Sequence, residues 1–384
     1  MKKTNTLLGI VVLLLFASTT KAQNDSVPLF NTLRLEVRAD ADYHHAMSYI
    51  PDITVNPLQH IGNTYGFKGK YFNLHMGGNL TPKISYYFRQ RIIANPGSVT
   101  FFDNTDFLFL NFKLNKNWSI RLGKDALAVG GYEYDAPPID VMLPAYYWDW
   151  FYCFQLAASA AYTTNDGKHT LRLQVANSPY LNSSAAIQNS LFSYNLLWMG
   201  DFGHFQTLYS FSMFQRDKDQ HYMAYTALGN KLVFDKWDLY VDLMHHAVNT
   251  SDFFKNFAVV ARANVYLNKN FNLFAKVSYE QNLNNDEMIY HLFNDGNILD
   301  CLAMPGQTYM LGGLGFELRP KACTDVRFHG FVAGVNCQQT IPSIAETDPI
   351  TVDFSHKKNN IDLMANVGVS WNINFLKYIN KKIK

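Results

Sequence analysis

From Ile361 to Phe375 the chain alternates between apolar and polar residues with almost no break. One face carries Ile361, Leu363, Ala365, Val367, Val369, Trp371, Ile373 and Phe375, the other Asp362, Met364, Asn366, Gly368, Ser370, Asn372 and Asn374. A period of two belongs to a strand with one face in an apolar medium and one in a polar medium. Strands of soluble sheets run about 5–6 residues, whereas a strand tilted across a membrane needs about 9–11 plus its ends. The pattern predicts a membrane-spanning strand.

Seven short polar turns punctuate the chain: 81–83, 115–117, 165–168, 200–203, 235–236, 268–270 and 319–321. They are built from Gly, Pro, Asn, Asp and Lys between alternating runs, the signature of hairpins. Seven turns joined by eight longer connections give sixteen strands, expected near 33–43, 66–80, 83–94, 106–115, 118–125, 151–163, 169–177, 191–199, 204–215, 222–234, 237–247, 256–267, 271–281, 307–318, 324–336 and 360–375. An even count returns both termini to one side. Trp118, Trp198, Trp237 and Trp371 fall at strand ends on the short-turn side, where an aromatic girdle belongs. No linker interrupts residues 23–384, which read as one all-β unit, a transmembrane antiparallel β-barrel. The connections 44–65, 282–306 and 337–359 read as surface loops.

Lys2 and Lys3 precede the apolar run Leu7–Phe16, and Thr20-Lys21-Ala22 ends in a small residue. Residues 1–22 therefore read as a secretory signal peptide, since the run is too short to span as a helix. Its removal takes three lysines and no acid, shifting the formal charge from +2 to −1. No basic run outside the C-terminal tail suggests nucleic acid. Mean hydropathy of −0.13 is blind to a barrel, because alternation hides its apolar half. No zinc or redox spacing joins the four cysteines. Cys301 and Cys337 fall on neighbouring outer loops and could form a disulfide or stay as free thiols.

The first strand decides which face meets lipid. Arg34, Glu36, Arg38 and Asp40 alternate with Leu33, Leu35, Val37 and Ala39. A basic side chain on the lipid face near the midplane costs about 2–4 kcal/mol, so the charges point inward. The same facing, applied strand by strand, sends Arg34, Arg38, Arg89, Arg91, Lys113, Arg121, Arg172, Lys231, Arg262, Lys276 and Arg327 to the lumen, with Glu36, Asp40, Asp238, Asp242, Glu280 and Glu317. Eleven bases against six acids lean toward anions. Small inward residues, including Gly77, Ser210, Ser212, Gly313 and Ser370, argue for an open path. The connection 126–150 is rich in Gly, Pro and aromatic residues, unlike a loose surface loop. Folded inward it would narrow the lumen and set Glu133, Asp135 and Asp140 against the basic wall.

At the end of the preceding strand and within that connection, Leu122-Gly123-Lys124, Gly130-Gly131-Tyr132-Glu133-Tyr134-Asp135 and Pro138-Ile139-Asp140 resemble a pattern of Bacteroidetes outer-membrane porins similar to the phosphate-selective porin O and P family. The resemblance implies a sixteen-stranded homotrimeric channel, inserted among outer-membrane lipids by the barrel assembly machinery of a Gram-negative cell. Small hydrophilic solutes, with anions such as phosphate among them, would diffuse through it without a cofactor. Phosphate-selective members carry a denser basic ladder than the interleaved charges here. Two other readings are a hydrolase barrel and a surface-binding adhesive barrel. His44, His45, His245, His246 and His329 are the histidines a catalytic or metal site could use. No Gly-x-Ser-x-Gly accompanies them, and adjacent histidines on a strand face opposite sides.

Overall fold

The computed structural model describes residues 28–49, 58–92, 101–149, 152–180, 191–216, 221–247, 255–284, 305–340, 343–345, 351–353 and 357–382. The signal peptide, Cys301 and hence its pairing with Cys337 lie outside them. The strands are β1 (Thr32–Tyr49), β2 (Leu58–Thr81), β3 (Ile84–Arg91), β4 (Thr105–Lys113), β5 (Trp118–Ala126), β6 (Phe154–Thr163), β7 (His169–Asn177), β8 (Phe192–Asp201), β9 (Phe205–Gln215), β10 (Tyr222–Val233), β11 (Trp237–Ala247), β12 (Asn256–Asn268), β13 (Phe271–Asn282), β14 (Gln307–Leu318), β15 (Val326–Thr340), β16 (Ser343–Ala345), β17 (Thr351–Asp353) and β18 (Lys357–Asn374). All but β16 and β17 form one closed antiparallel barrel of sixteen strands, sealed by β1 against β18. β16 and β17 make a separate small hairpin.

The alternation read from the sequence is realised in space. Leu171, Leu173 and Val175 of β7, Leu108 and Leu110 of β4, and Val367 and Val369 of β18 are exposed on the outer surface. Glu36, Arg38, Asp40, Asp242, Lys276 and Glu280 are buried inside. Such a continuous apolar exterior suits hydrocarbon rather than water. Closure leaves no sheet edge in the barrel wall, so the backbone is satisfied without solvent. Trp118 packs on Tyr162, Trp198 on Tyr209, and Trp237 on Phe234, forming the aromatic belt at the short-turn end.

Three expectations change. β1 and β2 run well beyond 43 and start well before 66, so most of the connection 44–65 is tall hairpin rather than surface loop. Pairing carries the strands upward from Tyr43↔Tyr65 to Tyr49↔Leu58, which a turn-based reading of glycines and polar residues does not see. The connection 337–359 likewise contains the end of β15 and the β16–β17 hairpin. Finally, Phe375 begins an eight-residue helix, Phe375–Lys382, instead of ending the last strand. Lys377 ties that helix to Asp325 at 2.8 Å.

Candidate functional site

Residues 127–149 continue from the top of β5, yet their polar partners stand on six other strands. The Ala128 N–H donates to Gln174 Oε1 of β7, and the Gly130 N–H to Ser210 Oγ of β9. The Tyr132 and Glu133 N–H groups donate to the two carboxylate oxygens of Asp242 on β11, each at 2.8 Å. The Tyr146 and Tyr147 N–H groups donate to Glu280 of β13 at 2.6 and 3.1 Å. Arg38 of β1 donates to the Val141 carbonyl at 2.9 Å, Lys276 of β13 to that of Leu143 at 2.5 Å, and Arg327 of β15 to that of Ile139 at 2.8 Å. A segment that reaches these inward side chains crosses the lumen. Its own secondary structure is only a turn of helix at Tyr132–Asp135 and 3₁₀ turns at Pro138–Asp140 and Tyr146–Asp149. Buried backbone groups need partners, and here the barrel's charged side chains take the place of a ladder.

Apolar packing seats the loop mainly on β8–β12, with Leu143 reaching Leu311 and Val335 of β14 and β15. Leu127, Val129, Ala145 and Tyr147 bury against Phe214, Met223, Tyr225, Ala227, Tyr240, Met244, Ala258 and Val260. Among the described residues, the largest buried apolar cluster therefore lies inside the barrel, between the loop and β9–β12. Glycines allow the approach. Gly131 has φ 100°, and a Cβ there would lie 2.7 Å from Met244 Cε. A Cβ on Gly313 would meet Leu143 Cδ2 at 2.6 Å. Gly313 and Ser210 thus make room for the loop and hold it, a role beyond the open path read for them from sequence.

The three loop carboxylates part company. Glu133 is buried: Lys276 Nζ lies 2.5 Å from its Oε2, Tyr240 OH donates to it, and its Oε1 accepts the Ala145 N–H. Asp140 pairs with Arg327 at 2.6 Å. Asp135 is exposed and, among the described residues, holds no partner side chain. The carboxylates expected to face the basic wall as a group are thus divided between structure and water, because only the fold reveals which of them meets a buried lysine.

The predicted bases divide in the same way. The side chains of Arg38, Lys276 and Arg327 are 3, 2 and 7% exposed, against 35, 31 and 27% for Arg34, Arg91 and Arg121. The first three hold the loop. The second set stands on β1–β7, where guanidinium groups outnumber their partners. Arg89 and Arg91 share Asp106, at 2.9 and 2.8 Å. Arg121 and Arg172 share Asp125, at 2.8 and 3.9 Å. Each trio carries net positive charge. Arg34 Nε, Arg89 Nη2, Arg121 Nε and Arg172 Nε have no hydrogen-bond partner among the described residues. Elsewhere Arg262 pairs with Glu317 at 2.8 Å, Lys231 lies 5.6 Å from the Tyr132 ring, and Lys113 is exposed at the last residue of β4. Below the loop, a cavity of about 880 Å³ opens among Tyr132, Asp135, Lys231, Arg262, Tyr266 and Arg319.

Asp106 and Asp125 escaped the sequence reading. Asp125 shares the parity of Arg121 and was legible. Asp106 was not, because a bulge between Arg89 and Gln90 shifts the β3–β4 register. The buried networks His75–Glu36 and His329–Asp40–Arg38 were also missed, since partners far apart in sequence meet only when the barrel closes. Among the described residues, no three His, Cys, Asp or Glu side chains gather as a metal site.

A family profile described as phosphate-selective porin O and P matches residues 50–196, less than half of the chain but including the whole inward loop. No curated protein matches. Among solved structures, the outer membrane channel DcaP of Acinetobacter baumannii superposes with a TM-score of 0.54 at 13% identity, over 89% of this chain and 96% of that one. An anion-selective porin from Comamonas acidovorans superposes with a TM-score of 0.50 at 11% identity, over 91% and 99%. At these identities the likeness is one of fold.

Proposed function

We propose that the chain is an outer-membrane diffusion channel for small hydrophilic solutes that leans toward anions. The observation that carries this reading is the loop clamped across a sixteen-stranded lumen, opposite a wall where arginines outnumber carboxylates. Sixteen strands enclose more space than side chains can fill. The loop takes up part of it on the β9–β12 side, and the remaining path runs along β1–β7. Solutes pass down their gradient, drawn by Arg34, Arg89, Arg91, Arg121 and Arg172. Bound water and mobile ions screen these charges incompletely in so narrow a space. Asp135 sets the opposing field across the aperture, while Glu133, Asp140, Arg38, Lys276 and Arg327 keep the aperture's shape. Arg262 and Lys113 belong to the inner vestibule.

The partial match to phosphate-selective porins supports phosphate among the permeant anions. Export by the N-terminal signal peptide, insertion by the barrel assembly machinery and assembly as a homotrimer complete the reading. No cofactor takes part. The test is single-channel conductance of the folded, heat-modifiable protein in planar bilayers, with reversal potential across a KCl gradient and phosphate added afterwards. A steady open channel favouring chloride is expected, with partial block by phosphate. Folded protein without conductance would overturn the channel reading, and cation preference would overturn the anion lean. Cross-linking in native membranes tests the trimer.

A further inference from the structure

Charge alone does not explain the lumen wall of β3–β6, which carries aromatic rings where water is expected. On β4, Leu108 and Leu110 face outward, so Phe107 and Phe109 point inward. They join Tyr87 of β3 and Phe154 of β6, with centroids 5.7 Å (Tyr87–Phe107), 5.8 Å (Tyr87–Phe109) and 5.2 Å (Phe107–Phe154) apart. None of the four rings is fully buried. The inward loop does not use them: its buried apolar clusters lie mainly against β8–β12, β14 and β15, and none includes these four rings. Arginines lie over them instead. The Arg89 guanidinium is 4.5 Å from the Phe107 centroid and 5.0 Å from that of Phe154, and Arg121 is 4.2 Å from Phe109.

These are the arginines that share Asp106 and Asp125 with a second guanidinium and keep a nitrogen without a partner. Arg89 is 5% exposed and braces the rings from beneath, whereas its neighbours Arg91 and Arg121 are 31 and 27% exposed and open to the lumen. Exposed guanidinium groups suit a carboxylate, and adjacent ring edges suit a second aromatic ring.

We propose that this wall is a binding site for planar aromatic carboxylates. The carboxylate would meet Arg91, 5.7 Å from the Phe154 centroid, and Arg121, while the ring stacks among Phe107, Phe109 and Phe154. The inference rests on the channel reading and names one solute class for it. No bond is made or broken; the site raises the local concentration of the solute on its way through.

The test compares benzoate with cyclohexanecarboxylate, which matches it in charge and size but lacks the flat ring. Bi-ionic reversal potentials in planar bilayers give each permeability, normalised to that of chloride in the same protein. Benzoate should exceed cyclohexanecarboxylate by about three- to tenfold, the range of one aromatic pair. Phe109→Leu and, separately, Phe107→Leu should bring the ratio toward one. Equal passage of the two acids through the wild-type channel overturns the proposal, and so does a preference that survives in both variants. Absence of chloride current from folded protein is a different failure, that of the channel reading itself.

Discussion

Lys276 of β13 and Glu133 of the inward loop form an ion pair inside the barrel, Nζ to Oε2 at 2.5 Å, with both side chains almost wholly buried. The same ammonium reaches the Leu143 carbonyl, so one lysine holds two points of the loop. Removing one partner of a buried pair leaves the other uncompensated, at about 3–5 kcal/mol. Lys276→Met should therefore loosen the loop. The expected readout is larger, noisier single-channel conductance and faster protease cleavage between residues 127 and 149. Adding Glu133→Gln should recover part of the loss, because the orphaned charge is gone.

Asp242 and Glu280 act as two-toothed clamps on backbone N–H groups. Hydrogen bonds to a charged acceptor contribute about 1.5–3 kcal/mol each. Asp242→Asn keeps one acceptor and should cost about half as much as Asp242→Ala. Hydrogen exchange at Tyr132 and Glu133 reads the difference directly. Equal protection in both variants would mean that the apolar core alone seats the loop.

Arg121 and Arg172 outnumber Asp125 two to one. Changing both to Ser converts that cluster from net positive to net negative. The chloride-to-potassium permeability ratio should fall several-fold at 0.1 M KCl and much less at 1 M, where the Debye length shrinks from about 10 to about 3 Å. A ratio indifferent to the double substitution would remove this cluster from the ion path.

Val277 follows Lys276 in sequence but faces lipid, 57% exposed. Val277→Lys should destabilise the barrel by about 2–4 kcal/mol, as for a basic residue near the membrane midplane. Urea-titrated folding into phospholipid vesicles measures this. A neutral result would mean that the strand sits away from the hydrocarbon centre.

Gly229 of β10 lies beneath Gly131, and a Cβ on it would stand 2.9 Å from Gly131 Cα. Gly229→Ala should lift the loop from the wall at about 1–3 kcal/mol of packing strain. Conductance should change while the anion preference stays, because the β1–β7 arginines are untouched.

The sequence by itself determined the barrel. Period-two alternation, hairpin turns and the cost of charge in lipid are local properties, so sixteen strands and their facing could be read from residues close together in the chain. The inward loop was legible in part, because Gly130-Gly131 and Pro137-Pro138 announce a segment of fixed shape. Which inward charge holds the loop and which faces water was decided only by the tertiary structure. Lys276 and Arg121 share an inward facing and a positive charge, yet one meets Glu133 and the other shares an aspartate with a second arginine. Asp106 reached the wall through a bulge that no alternation pattern records. Partners on strands far apart in sequence meet only when the barrel closes, and burial, the property that turns a charge into a clamp, does not exist before that closure.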